Sequence, residues 1–176
     1  GKRMDLQIKG KKAIMAGGSA GMGRATAERL AEAGVELVIT ARRRERLENA
    51  AKEISAKYKV NVTPIVADSS KPEDRAKLLE SCPDPDILAI TIKPPAPNGD
   101  FLKVTPERWR ESIDSALIGP IELMRQYIPH MKESGWGRIV NIATFSAKNP
   151  MVWRLMSGPA RSCLLYTSPS PRDSGQ

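Results

Sequence analysis

The sequence has few of the residues on which several classes of protein depend. It contains two cysteines, Cys82 and Cys163, which are too few for a disulfide framework or a cysteine-ligated metal centre. Aromatic residues make up 5% of the chain, so no platform of rings for stacking single-stranded nucleic acid is visible. No apolar run reaches the about 18 residues of a membrane span, and no apolar stretch follows the basic N-terminus as in a signal peptide. We therefore expect a cytoplasmic protein that binds no membrane, nucleic acid or metal.

The formal net charge of +8 would by itself also suit a nucleic-acid-binding protein. Most basic residues, however, are spread over segments of helical periodicity, where they alternate with glutamate as on a solvated helix face. One dense cluster, Arg42-Arg43-Arg44 with Arg46, has a more specific explanation given below. Nucleic-acid binding is therefore kept only as a minor hypothesis, behind two others given below. A steep salt dependence of oligonucleotide binding would support it.

Short apolar runs alternate with helical patterns along most of the chain. The runs that predict strands lie at 12–16, 35–40, 60–67, 87–92 and 138–142. Ser70 and Glu73 have the spacing of a capping box that starts the helix before the fourth strand. The longest helix starts at Thr105-Pro106, ends near Met131 and is expected to bend at Gly119-Pro120. Five successive β-α units imply an α/β fold, a doubly wound parallel sheet of the Rossmann type with helices on both faces.

A glycine-rich turn lies between the first strand and the first helix. Gly17, Gly21 and Gly23 would allow a tight turn, close approach of a pyrophosphate, and close packing of the helix on the strand. The phosphates, with Ser19 and Met22 as further contacts, would then lie at a helix N-terminus, which favours negative charge. A plain β-α turn has similar glycines, but the flanking strand and helix favour dinucleotide binding. The absence of a following Gly-Lys-Ser/Thr sequence excludes a nucleotide-hydrolysing P-loop.

The residues after the second strand predict which dinucleotide is bound. Enzymes that use NAD usually place an acidic residue there, which bonds the ribose 2′-hydroxyl. In this chain Ala41 is followed by Arg42 and Arg43, which can pair with a 2′-phosphate that a carboxylate would repel. A solvated basic helix start is the alternative, although arginine is unfavourable near a helix N-terminus. We therefore predict NADP as the cofactor.

Taken together, these motifs resemble those of the short-chain dehydrogenase/reductase family. The resemblance covers about Leu6 to Ser162 and includes the Gly17-x-x-x-Gly21-x-Gly23 spacing, Asp86-Ile87-Leu88, Trp109, and Met131 through Ile142. It implies an oxidoreductase that transfers a hydride between NADP(H) and a carbonyl or alcohol substrate, in a homo-oligomeric parent protein. It also implies that Asp68, after the third strand, contacts the adenine ring, although a simple strand-end cap explains this residue equally well.

The catalytic positions depart from the family pattern of Ser, then Tyr thirteen residues later, then Lys four further on. Alignment on the fifth strand places these positions at Thr144, Ser157 and Arg161. The resemblance implies that Thr144 bonds the carbonyl oxygen and Arg161 holds the nicotinamide ribose, but serine is a far poorer acid than tyrosine. An ordinary helix start is the plain alternative for Ser157 and Arg161. The family's helix asparagine falls near Ala116, and its Asn-Asn-Ala-Gly stretch becomes Ile90-Thr91-Ile92-Lys93. A dinucleotide-binding sensor or inactive homologue is therefore the alternative function.

The last residues break the pattern of the rest of the chain. Another helix is expected after Gly158, but residues 163–176 give three apolar residues and then a Pro/Ser-rich tail that resembles a translated sequencing adapter. Pro169 and Pro171 cannot both lie inside a helix. We therefore expect an incomplete NADP-binding Rossmann domain over residues 1–162, a non-native disordered tail over 163–176, and a C-terminally truncated fragment that is inactive by itself.

Overall fold

A computed structural model describes residues 7–91 and 101–142 of the chain, without the side chain of Phe101. The strands are β1 (Lys12–Ala16), β2 (Glu36–Ala41), β3 (Val62–Val66), β4 (Ile87–Thr91) and β5 (Arg138–Ile142). The helices are α1 (Gly21–Glu32), α2 (Arg44–Tyr58), α3 (Pro72–Ser81), α4 (Pro106–Ile113) and α5 (Gly119–Ser134), with a 3-10 turn at Phe101–Lys103 and a π-helical turn at Asp114–Ile118. The predicted α/β fold is confirmed, and each strand begins and ends within two residues of its prediction.

The five strands form one parallel sheet in the order β3-β2-β1-β4-β5. In the middle of the sheet, Ile14 of β1 lies beside Val38 of β2 and Leu88 of β4. The chain adds strands on one side of β1 as far as β3 and then crosses to the other side for β4. Ligands of doubly wound sheets bind at the carboxyl ends of the strands beside such a switch point, which here lies between β1 and β4.

Two apolar clusters cover the two faces of the sheet. Successive strand residues point to opposite faces, so Met15 packs with α1 and α2 while its neighbour Ile14 packs with α3 and α5. Buried members of the first cluster include Ala27, Ala31, Leu37, Ile39, Leu47, Ala50 and Ile54, and those of the second include Val38, Leu78, Leu88, Leu123 and Tyr127. The three central strands, β1, β2 and β4, are buried on both faces and have nearly continuous apolar sequences, whereas β3 and β5 at the sheet edges are only partly buried.

The chain divides into two compact units. The first comprises residues 1–91 and 123–142 and contains the whole described sheet, and the second includes the described residues 101–122. No helix in the described ranges combines the length and apolar character that a membrane crossing would need.

The long helix is interrupted one turn earlier than the sequence suggested. α4 ends at Ile113, and the N–H of Gly119 donates to the carbonyl of Asp114, five residues back, at the end of the π-helical turn. Pro120 has no N–H to offer residue 116 and its ring crowds that carbonyl, so a wider turn upstream relieves the clash. The interruption expected at Gly119-Pro120 therefore takes the form of a π-helical turn over the five residues before it. The predicted cap is present, because the Thr105 side chain accepts from the Arg108 N–H.

Tyr127 of α5 is the largest fully buried side chain in the described part of the chain. Its hydroxyl makes no hydrogen bond of regular geometry there: the neighbouring Gln126 side chain interacts with it, but the amide of Gln126 donates to the Arg75 carbonyl oxygen at 3.2 Å. Burial raises the pKa of Tyr127, so the phenol stays neutral at ordinary pH. Tyr127 therefore contributes through packing and leaves one buried polar group unsatisfied.

The Tyr127→Phe variant is expected to have an equal or higher free energy of unfolding, by up to about 1–3 kcal/mol, since it removes an unsatisfied buried hydroxyl. Urea denaturation of the two proteins measures the difference. Leu123→Ala, in the same cluster, is the control for sensitivity and should cost about 2–5 kcal/mol. A loss of more than about 1 kcal/mol in Tyr127→Phe would mean that the hydroxyl makes a stabilising hydrogen bond.

Candidate cofactor site

The glycine turn connects the carboxyl end of β1 to the N-terminus of α1, beside the switch point of the sheet. Gly17 has φ +92° and Gly21 has φ +58°, both in the left-handed region that favours glycine. The N–H groups of Gly17 and Gly18 both donate to the carbonyl oxygen of Thr40, at 2.9 and 3.1 Å. The first two backbone N–H groups of the turn thus donate to β2, and these two bonds fix the start of the turn. The N–H groups later in the turn do not take part in them.

Each of the three motif glycines meets a different steric demand. A Cβ on Gly17 would overlap Oγ1 of Thr91, and a Cβ on Gly23 would overlap the carbonyl oxygen of Gly17. A Cβ on Gly21 would meet no described atom within 4 Å. Gly17 and Gly23 are therefore required by internal packing, whereas Gly21 faces a space, free of atoms of the described residues, that a bound phosphate could occupy.

The N-terminus of α1 is open. The N-cap residue, Ala20, has no side-chain oxygen to accept the first N–H groups, and the first turn of this helix contains no acidic residue. The N–H groups of Gly21, Met22 and Gly23 begin the helix, where such groups lack intrahelical acceptors and carry the positive end of the helix dipole. Met22 is 52% exposed, and Ser19 lies in the turn just before the helix. These features fit the pyrophosphate of a dinucleotide.

Arg42 and Arg43 lie at the carboxyl end of β2, on the same edge of the sheet as the glycine turn. Both are exposed, and Arg43 is the N-cap residue of α2. Within the described ranges neither forms an ion pair, whereas the next residue, Arg44, pairs with Glu48 at 3.3 Å. Two cations near a helix N-terminus are electrostatically unfavourable unless an anion joins them. This pair can therefore receive an anionic group.

Asp68 closes the turn between β3 and α3. Its Oδ1 accepts from the N–H of Ser70 at 3.0 Å and from the Ser70 hydroxyl at 2.7 Å, while the Asp68 N–H donates to Asp74 Oδ2 at 2.7 Å. These bonds describe a strand-end cap, and the adenine contact stays a prediction.

The predicted capping box at Ser70 is wrong, because α3 begins at Pro72 with Lys71 as N-cap. Proline is pre-organised for the first helical position, which moves the start one residue on.

The predicted catalytic residues Thr144, Ser157 and Arg161 lie outside the described residues, as do the Pro/Gly-rich loop at 93–99 and the tail at 163–176. Ala116, which takes the place of the family's asparagine, is buried in the π-helical turn. The described residues thus include the predicted dinucleotide site but not the predicted proton-transfer residues.

Thr91 contributes to this part of the structure, although the sequence pattern gave it no role. Thr91, the last residue of β4, donates its hydroxyl to the carbonyl oxygen of Ala16 at 2.9 Å and lies 3.3 Å from that of Gly17. In the sequence Thr91 stood out as a departure from the Asn-Asn-Ala-Gly stretch, without an assigned role. Its signal was a β-branched hydroxyl side chain at the end of the strand that neighbours β1.

Sequence comparison identifies relatives over most of the chain. A sequence model of the family described as short chain dehydrogenase matches residues 11–156. The 3-oxoacyl-[acyl-carrier-protein] reductase of Aquifex aeolicus is 31% identical over 144 residues, which cover 80% of this chain and 58% of that protein. The chain spans about three fifths of the length of the curated relatives it matches, with 63%, 56% and 58% covered in three of them.

Solved structures show the same architecture. L-sorbose reductase from Gluconobacter frateurii, in complex with NADPH and L-sorbose, has a TM-score of 0.85 and 28% identity over 94% of this chain and 64% of that one. An alcohol dehydrogenase from the archaeon Thermococcus sibiricus, in complex with 5-hydroxy-NADP, has a TM-score of 0.76 and 25% identity over 89% of this chain and 69% of that one. The described sheet and helices are therefore those of a widely shared Rossmann-type fold.

Proposed function

The chain belongs to the short-chain dehydrogenase family, and we propose that it is the cofactor-binding part of an oxidoreductase that transfers a hydride between NADP(H) and a carbonyl or alcohol substrate. Family membership confirms the resemblance drawn from the sequence. The observation that carries the proposal is the uncapped N-terminus of α1 together with the two arginines at the end of β2, which have no ion-pair partner among the described residues. Together they offer sites for a pyrophosphate and for a further phosphate.

NADP(H), when bound, supplies the hydride acceptor or donor. We propose that the first-turn N–H groups of α1 hold the pyrophosphate, with Ser19 and Met22 beside it, and that Arg42 and Arg43 pair with the 2′-phosphate. Asp68 is the proposed neighbour of the adenine. The NADPH and 5-hydroxy-NADP complexes of the two similar structures support NADP over NAD.

Thr144, Ser157 and Arg161 are the proposed residues of the reacting end. Thr144 would bond the carbonyl oxygen, Arg161 would hold the nicotinamide ribose and supply positive charge, and Ser157 would occupy the position of the proton donor. Since a serine hydroxyl is a far weaker acid than a tyrosine, proton transfer is the step that this arrangement supports least. Cytoplasmic location and a homo-oligomeric parent stay predictions.

We expect the full product of the gene to bind NADPH and to oxidise it slowly with a panel of ketones and aldehydes, followed by the loss of reduced-nicotinamide absorbance. The double variant Ser157→Tyr with Arg161→Lys should raise turnover by about 100-fold or more, the contribution of a general acid. Because Arg161 is proposed to hold the nicotinamide ribose, NADPH affinity is titrated for the same double variant, so that a change in cofactor binding is distinguished from a change in proton transfer.

The outcomes separate the two candidate functions. Tight NADPH binding without turnover, even in the double variant, favours a dinucleotide-binding sensor or inactive homologue, for which the serine at position 157 is the supporting observation. Failure to bind either dinucleotide would contradict both.

A further inference from the structure

We propose that Thr91 is a positioning residue that holds the glycine turn in the conformation that receives the dinucleotide. The proposal rests on the proposed function as a dinucleotide-binding protein, and it concerns how the turn is kept ready. Thr91 itself lies on β4 and acts through the turn, not on the cofactor.

The hydroxyl of Thr91 bonds the turn from the side opposite to β2. Oγ1 donates to the Ala16 carbonyl oxygen at 2.9 Å and has a longer contact, 3.3 Å, with the Gly17 carbonyl oxygen. On the other side, the Thr40 carbonyl of β2 accepts from the N–H groups of Gly17 and Gly18. The start of the turn is therefore held between two strands by three short hydrogen bonds, one of which comes from a side chain.

The Thr91 side chain also fills the space beside Gly17 and Gly23 that a side chain on either residue would need. The hydroxyl oxygen occupies the volume that a Cβ on Gly17 would need, and the Cγ2 methyl lies 3.1 Å from the position of a Cβ on Gly23. Gly17 has φ +92°, a backbone conformation that residues with a side chain rarely adopt, and in it the Gly17 carbonyl oxygen lies 3.3 Å from Thr91 Oγ1. A hydroxyl and a methyl on one β carbon meet both requirements, which only threonine among the standard residues supplies.

The consequence for the cofactor follows from the geometry of the turn. Gly23 contacts the Gly17 carbonyl closely enough that a Cβ between them is excluded, so a shift of Gly17 is transmitted to the first turn of α1. The N–H groups proposed to bind the pyrophosphate are in that first turn. Loss of the Thr91 tether is expected to cost binding through misplacement of these donors, because hydrogen bonds to charged groups depend strongly on direction.

The test compares Thr91→Val, which keeps the shape and removes the hydroxyl, with Thr91→Ser, which keeps the hydroxyl and removes the methyl. We expect Thr91→Val to weaken NADPH binding by about tenfold or more and Thr91→Ser to stay within about threefold of the wild type. Thr63→Val, on the exposed side of β3, is the matched control and should not change the affinity. Fluorescence titration of the full chain with NADPH gives the affinities.

A second measurement does not depend on the cofactor. In the free chain, amide hydrogen exchange of Gly17 and Gly18 should accelerate in Thr91→Val and return towards the wild-type rate in Thr91→Ser, while exchange in β3 is unchanged. Wild-type exchange and wild-type affinity in Thr91→Val would overturn the proposal, as would a Ser variant as defective as the Val variant. If the wild type binds neither dinucleotide, the proposed function fails, and the exchange rates alone decide whether Thr91 holds the turn.

Discussion

Gly23→Ala is expected to abolish dinucleotide binding and to destabilise the chain. The new Cβ would overlap the carbonyl oxygen of Gly17 and would lie 2.8 Å from the carbonyl carbon, both backbone atoms that cannot turn aside. Gly23 has an ordinary helical conformation, so alanine would by itself favour the helix by about 1 kcal/mol. Relief of the overlap therefore requires α1 to move away from the turn. We expect a net loss of about 1–3 kcal/mol in the free energy of unfolding, as for other overpacked sites.

The same movement displaces the helix N-terminus that is proposed to hold the pyrophosphate. Affinity for NADPH should fall by about 100-fold or more, the equivalent of one or two charged hydrogen bonds. Gly135→Ala is the control, because Gly135 has φ +75°, meets no described atom within 4 Å of an added Cβ, and lies at the other end of the sheet. It should cost about 1–2 kcal/mol through backbone strain and leave NADPH affinity unchanged.

Urea denaturation and NADPH titration of the three proteins distinguish a loss of stability from a loss of the site. A folded Gly23→Ala variant with wild-type affinity would show that the turn is only a connection between β1 and α1. Equal losses of affinity in the Gly23 and Gly135 variants would attribute the effect to general destabilisation.

The sheet could be predicted from the sequence because its signal is local. A strand that is buried on both faces has a continuous apolar sequence, and β1, which is such a strand, begins and ends at the residues predicted for it. The turn after β1 was also recognisable, since three glycines between a strand and a helix impose a narrow set of backbone conformations. Fold class and the approximate place of the cofactor site follow from these two signals.

Features that depend on distant atoms could not be predicted in the same way. The hydroxyl of Thr91 bonds a carbonyl 75 residues earlier in the chain, and no local pattern pairs the two positions. Ser70 was assigned to a capping box from its spacing to Glu73, but its hydroxyl bonds Asp68 because Pro72 fixes the helix start. The π-helical turn before Pro120 likewise results from one proline and the carbonyl four residues before it.

Arg42→Ala is expected to remove most of the preference for NADPH over NADH. The 2′-phosphate is the one chemical difference between the two cofactors, and Arg42 and Arg43 are the exposed cations at the end of β2 without an ion-pair partner in the described ranges. A hydrogen bond to a charged group is worth about 1.5–3 kcal/mol, so the affinity for NADPH should fall by about 10- to 150-fold. Affinity for NADH should change little, because its 2′-hydroxyl carries no charge.

Arg46→Ala is the matched control for this change. Arg46 is also exposed and lies in the first turn of α2, so its loss removes one positive charge close to Arg42 without altering the end of β2. If net charge alone attracts the cofactor, both variants will weaken NADPH binding alike, and added salt will abolish the difference from wild type. If Arg42 contacts the 2′-phosphate directly, Arg42→Ala will lower the ratio of NADPH affinity to NADH affinity and Arg46→Ala will not. If this affinity ratio falls in Arg43→Ala and not in Arg42→Ala, the contact is made by Arg43, the N-cap residue of α2, instead. Equal affinities of the wild type for NADPH and NADH would contradict the assignment of NADP, since they would mean that neither arginine stabilises the 2′-phosphate.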